Sequence, residues 1–281
     1  MATIIPPKGA TQTQRTLRVG KKSLKLTLYE NEDTVTIFLG GHDLFCIDAF
    51  FYKPESTFAR HGFDITNCTL THIYHNLHCS LEHNFQKGID SNMIMRLLTS
   101  YIKTHYPYVQ TLSLHDTSSR ECENGTRVEL AEMSYIRTGK TWYESHFHAY
   151  LEGAYLTKFT QATTKFNDRK QLYTWEMMKS YIMGELPLQE AVLQKRFASA
   201  NTWQEFFGPL SEEIGIPKFC VFVSPWLHRF LTTNLDFQFS FAQYRIPIGK
   251  MDTIAFTESE YVRGGKRFTR RALRLPPMNS T

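Results

Sequence analysis

A short turn, Lys87-Gly88-Ile89-Asp90-Ser91-Asn92, leads directly into an amphipathic run from Met93 to His105. The first turn of a helix leaves N–H groups without intrahelical partners and carries a partial positive charge. Lys87, Gly88, Ile89, Asp90, Ser91 and Asn92 are therefore a candidate anion cradle, suited to a pyrophosphate. A single glycine motif has this role only in the right setting; otherwise it simply starts a helix. His72, His75, His78 and His83, with Cys79 among them, raise metal ligation. Their spacing argues against it, because strand residues three apart face opposite ways and the i, i+4 helical pair of a zinc enzyme is missing. No metal is expected from them. Thr138-Gly139-Lys140-Thr141 ends like a phosphate-binding loop, but Ser134 stands where its first glycine belongs. Near the end, Arg263, Lys266, Arg267, Arg270, Arg271 and Arg274 fall within twelve residues. Such a basic tail suits nucleic acid, by counterion release, or an acidic protein partner; it equally suits a solvated tail.

These groups need elements to hold them. Leu24–Tyr29 alternates with period two and Thr34–Leu39 is β-branched and aromatic, with Asn31 to Asp33 as a hairpin turn between them. Leu44–Tyr52 reads as a third strand or a buried helix. Residues 53 to 68 read as a loop and Thr69–Leu81 as one long strand, with Ile73, Leu77, Cys79 and Leu81 on one face. From Met93 the spacing turns helical, with Ile94, Leu97, Leu98, Tyr101 and Ile102 in one stripe, and a strand from Val109 to His115 follows. Glu129 to Tyr135 is short helix or strand, and Thr141 to Tyr150 reads as helix. In the second half, Asp168-x-x-Gln171 and Thr202-x-x-Glu205 resemble capping boxes, and Pro187 suits the first turn of a helix to about Phe197. Phe219–Val223 reads as a buried strand, Ser224-Pro225 as the start of a helix, and Leu235 to Ile248 as extended chain.

At 281 residues the chain can bury a sizeable core, and its 42% hydrophobic and 21% charged residues are those of a globular protein. A net charge of +5 is too small to imply nucleic acid by itself; distribution must carry that role. The five cysteines lack any C-x-x-C pair, so neither a disulfide framework nor a cysteine-rich zinc site is expected, and a reducing compartment is the default. No apolar run of membrane-spanning length occurs, and the first residues lack the apolar region of a secretory leader.

The order strand, glycine turn, helix, strand, aromatic helix resembles the core of the acetyl-CoA-dependent N-acetyltransferases, the GNAT superfamily. Gly88-Ile89-Asp90-Ser91 is similar to the family string G-I-G-S, and Trp142-Tyr143-Glu144-Ser145-His146-Phe147 matches its aromatic string at Tyr143 and Phe147. The resemblance spans roughly residues 69 to 150. It implies an α/β fold with a GNAT-like central mixed sheet flanked by helices. On that reading residues 1–20 are a flexible arm, 21–155 the core, 156–255 a mostly helical α/β extension, and 256–281 a basic tail. It also implies acetyl-CoA as cofactor and an amine, on a small molecule or a protein, as acceptor. Tyr143 would protonate the departing thiolate, and His78 or Glu82 would supply the base. Asp90 stands where the family has its second glycine, Phe85 where it has Gln or Arg, and His146 where it has glycine. The same fold without catalysis, in a binding or assembly protein that uses its basic tail, is the alternative. Thr-Gly-Lys-Thr-Trp-Tyr-Glu-x-x-Phe, from Thr138, is similar to a string in uncharacterised proteins of large DNA viruses, which implies an intracellular setting, in a host cell or a virion, away from membranes.

Overall fold

The computed structural model describes residues 7–40, 45–73, 89–116, 118–239 and 242–261. The chain divides into two compact units, residues 1–114 with 246–281, and residues 115–245. Each has its own core.

The first unit is built on a mixed sheet. Strands β1 (Thr11–Val19), β2 (Lys22–Glu30), β3 (Thr34–Gly40), β4 (Phe45–Tyr52) and β5 (Asn67–Ile73) form an antiparallel run. Period-two alternation sends Leu24, Leu26 and Leu28 inward, with Leu26 opposite Leu39 and Leu28 opposite Ile37 of β3. The β2–β3 turn closes as its sequence predicts: Asn31 Oδ1 accepts from the amides of Asp33 (2.9 Å) and Thr34 (2.7 Å) and from Thr34 Oγ1. Residues 11–19, read as part of an arm, are instead the strand β1. They gain partners on both sides, β2 and, antiparallel, β11 (Thr257–Glu260). A one-turn helix, α1 (Thr57–Arg60), interrupts the stretch read as loop, started by Ser56 Oγ accepting from the Ala59 amide.

After β5 the topology changes. Helix α2 (Ile89–His105) connects β5 to β6 (Thr111–His115), which pairs parallel to β5. The predicted stripe of α2 is buried, and so are Met95, Thr99 and Ser100, so most of its circumference is covered. Its buried hydroxyls are spent on its own carbonyls, Thr99 Oγ1 on Met95 O (2.8 Å) and Ser100 Oγ on Arg96 O (2.7 Å).

The second unit opens with the hairpin β7 (Ser119–Glu121) and β8 (Arg127–Glu129). Helices α3 (Leu130–Thr138) and α4 (Trp142–Phe147) follow, then β9 (Tyr150–Leu151), which pairs antiparallel with β10 (Gln243–Pro247). Between β9 and β10 lie α5 (Gly153–Lys170), α6 (Trp175–Lys179), α7 (Glu190–Ser199), α8 (Trp203–Ile214), α9 (Ile216–Val223) and α10 (Leu227–Asn234). Thr202 does cap α8, its Oγ1 accepting from the Glu205 amide. Asp168 and Gln171 do not start a helix, because α5 runs through Asp168 and ends at Lys170. Phe219 to Val223 is helical, not strand: Gly215 and Pro217 start α9, whose apolar residues Phe219, Cys220, Phe222 and Val223 are buried. The following helix begins at Leu227 without using Ser224-Pro225 as its cap. Aromatic residues make the core here. Trp203 is fully buried, stacked on Phe166 at 5.3 Å, with its indole N–H on Phe166 O at 2.8 Å. Buried Lys170 donates to the carbonyls of Phe197 and Ala200, both at 3.0 Å, at the C-terminal end of α7.

Cys122 and Cys220 form a disulfide with Cα atoms 5.5 Å apart, which overturns the expectation of unpaired cysteines. Their sequence separation of 98 residues explains why spacing did not reveal it. Among the described residues, no helix is long and apolar enough to cross a membrane.

Candidate functional site

The parallel pair β5–β6 is hydrogen-bonded only at its start. Asn67, Cys68 and Thr69 register with Thr111, Leu112 and Ser113. A polar clip fixes this end: Asn67 Oδ1 accepts from Thr111 Oγ1 (3.0 Å) and Ser113 Oγ (2.6 Å). Beyond it β5 continues to Ile73, still paired with β4, and β6 continues to His115, yet among the described residues the two share no further register.

The helix between them is oriented by its connections. From the end of α2 the chain turns back at once, with Tyr106 N on Ile102 O, Val109 N on Tyr106 O and Gln110 N on Thr66 O. The C-terminus of α2 therefore lies beside the start of β5, and its 17 residues rise back roughly 25 Å at about 1.5 Å each. That direction carries the N-terminus of α2, with its partial positive charge, toward the C-terminal ends of β5 and β6. Crevices at the carboxyl ends of parallel strands are where open α/β sheets bind phosphate-bearing ligands.

Of the predicted cradle, Ile89, Asp90, Ser91 and Asn92 are the opening residues of α2 itself and not a turn before it. Asn92 Oδ1 accepts from Arg96 Nε at 2.8 Å, and Arg96 also pairs with Asp252 at 3.2 Å. This engages the Asn92 side chain within the helix and leaves anion binding to backbone groups. Lys87, Gly88, His78 and Glu82 lie outside the described residues, as do Arg263, Lys266, Arg267, Arg270, Arg271 and Arg274.

Tyr143 sits in the second unit, on α4. A capping box sets the start of that helix, the Thr141 amide donating to Glu144 Oε2 (2.6 Å) and Thr141 Oγ1 accepting from the Glu144 amide (3.4 Å). His146, the residue in place of the family's glycine, stacks on Trp142 at 4.7 Å, outside the core. Tyr143 is 4% exposed, its ring 6.2 Å from that of Tyr244. Burial, then the charge of Asp116, pushes the Tyr143 phenol far above its ordinary range, so it is held protonated. Tyr244 responds in the same way, to burial first and then to Asp116. Asp116 is itself buried, and its carboxyl is pushed up to about 6 by burial, against the lowering effect of Ser118. Ser118 N (3.0 Å) and Ser118 Oγ both donate to Asp116 Oδ1, while Oδ2 has no hydrogen-bond partner among the described residues. Asp116 and Tyr244 escaped the sequence reading, since neither belongs to a motif; only the fold brings them to Tyr143.

No family model matches this chain, and no curated protein or solved structure does so either.

Proposed function

We propose that the protein is an acetyl-CoA-dependent N-acetyltransferase-like enzyme that moves an acetyl group to an amine acceptor. The observation that supports this reading is the β5–α2–β6 unit, a parallel strand pair joined through a helix that runs back toward the C-terminal ends of the strands. Amides at the start of that helix provide for the pyrophosphate. Acetyl-CoA supplies the activated thioester. The amides of Ile89 to Asn92 would hold the diphosphate, His78 or Glu82 would take the proton from the amine, and the departing thiolate would take one from water.

The test is turnover, followed as thiol release from acetyl-CoA with a panel of amines. His78→Ala or Glu82→Gln, whichever removes the base, is expected to lower kcat by about 100-fold or more, with KM for acetyl-CoA little changed. Unchanged kcat in both variants removes the two residues from the mechanism.

A second reading has its own support. Asp90 is the second residue of α2, where a carboxylate competes with a phosphate for the same positive end. On that reading the fold serves binding or assembly, and residues 262–281 contact nucleic acid or an acidic partner. Deleting them is then expected to abolish salt-dependent affinity for a DNA or RNA duplex, read by fluorescence anisotropy. Unchanged affinity excludes the tail as the contact.

A further inference from the structure

We propose that Glu129, Glu132 and His228 form a binding site for one divalent transition-metal ion. None of the three is among the histidines singled out in the sequence. Glu129 ends β8, Glu132 lies in the first turn of α3, and His228 lies in the first turn of α10. One ligand atom from each falls within 4.8 Å of the other two. His228 Nδ1 is already 2.7 Å from Glu132 Oε1.

The second observation is the state of Glu132. It is 4% exposed, and its Oε2 is buried with no hydrogen-bond partner among the described residues. A carboxylate oxygen shut away from water and left without a donor is costly, and a cation beside it supplies the missing interaction. Glu129 is available too: it is the N-cap residue of α3, yet its side chain makes no capping hydrogen bond. The three ligands are also held in place before any ion arrives. The Cys122–Cys220 disulfide ties the β7–β8 hairpin to α9, and Thr126 Oγ1 meets Ser224 Oγ just before α10. Preorganisation of this kind removes much of the ordering cost of closing a site.

Two carboxylates and one imidazole suit Zn²⁺ and its neighbours better than Ca²⁺ or Mg²⁺, which take all-oxygen shells. Zinc needs ligand bonds of about 2.0 to 2.2 Å, so the three side chains must close by small rotations. With the His228 side chain 67% exposed, the remaining coordination position faces solvent and takes water.

Zinc titration of the chelator-stripped full chain by calorimetry tests this at neutral pH. About one equivalent is expected to bind, with a rise in Tm. His228→Ala, at an exposed position where folding is not at risk, is expected to weaken binding by well over the ~10-fold that changes outside the ligand set cost. Glu129→Gln should do the same, and His146→Ala should not. X-ray absorption of the loaded protein should show nitrogen and oxygen neighbours only. No binding, unchanged affinity in His228→Ala, or a sulfur neighbour overturns the site.

Discussion

Asp116 carries a carboxyl group to a place with almost no water, 2% exposed, with one oxygen bonded to Ser118 and the other unpartnered. Its folded-state value of about 6 lies above its ordinary value of 3.8, so between those values the folded chain binds more protons than the unfolded one. Stability from this group is present below about 4 and is lost as pH rises through 6. The full effect is about 3 kcal/mol, from about two units at ~1.4 kcal/mol each. Urea unfolding at a series of pH values should therefore show a decline from pH 4 to pH 7, and Asp116→Asn should flatten it. A variant with the wild-type slope would show that the pH response lies elsewhere. At this scale the sequence was half legible. Tyr143 stood out because Trp142 to Phe147 resembles the aromatic string of the acetyltransferases at Tyr143 and Phe147. Its burial did not, nor did the carboxylate whose charge acts on it, because no periodic spacing links Asp116 to Tyr143. Glu132 and His228 are 96 residues apart, and no spacing rule reaches that far.

Among the elements, α2 and β2 were readable because apolar residues recur with one period in each, and β3 because its residues are β-branched and aromatic; those residues are buried, although burial reaches beyond the predicted face. Phe219–Val223 was not. A short apolar run fits a buried strand and a buried helix equally, and here Pro217 and the Gly215 start tip it to helix. Strand β1 was missed because its residues are mostly polar; partners on both sides, and not hydrophobicity, hold it in the sheet. The Cys122–Cys220 link belongs to this scale as well, since it fixes a small hairpin to a helix that could otherwise drift from it. Opening a link across 98 residues frees the unfolded chain most of all, at a cost of about 2 to 4 kcal/mol. Reduction by a thiol, or Cys122→Ala, should lower the urea midpoint by a matching amount. An unchanged midpoint after intact mass has confirmed reduction would mean that the link adds no stability.

At the level of the whole molecule, two cores of different make-up share one chain. The first is a sheet of alternating aliphatic strands covered by α2, and the second is a helical assembly packed on Trp203, Phe166, Phe230 and Trp226. The broad class, α/β, was legible from the alternation of strand and helix periods, while the mixed sheet was expected from the family resemblance. Where one unit ends and the next begins was not, because residues 246–261 return to the first unit after the chain has built the second. Ile254 N on Ser100 Oγ at 2.9 Å and Glu258 on His105 at 3.2 Å and on Arg15 at 3.5 Å are the contacts that bring them back. Such long-range closure depends on particular side chains and leaves no periodic trace.

The central proposal is that the N-terminus of α2, toward the C-terminal ends of β5 and β6, receives acetyl-CoA. Calorimetric titration of the full chain with acetyl-CoA tests it most directly. The account predicts saturable binding of one molecule per chain in the micromolar range, tightened by Asp90→Asn, which removes the competing carboxylate, and insensitive to Tyr143→Phe. An absence of binding at millimolar acetyl-CoA would contradict it.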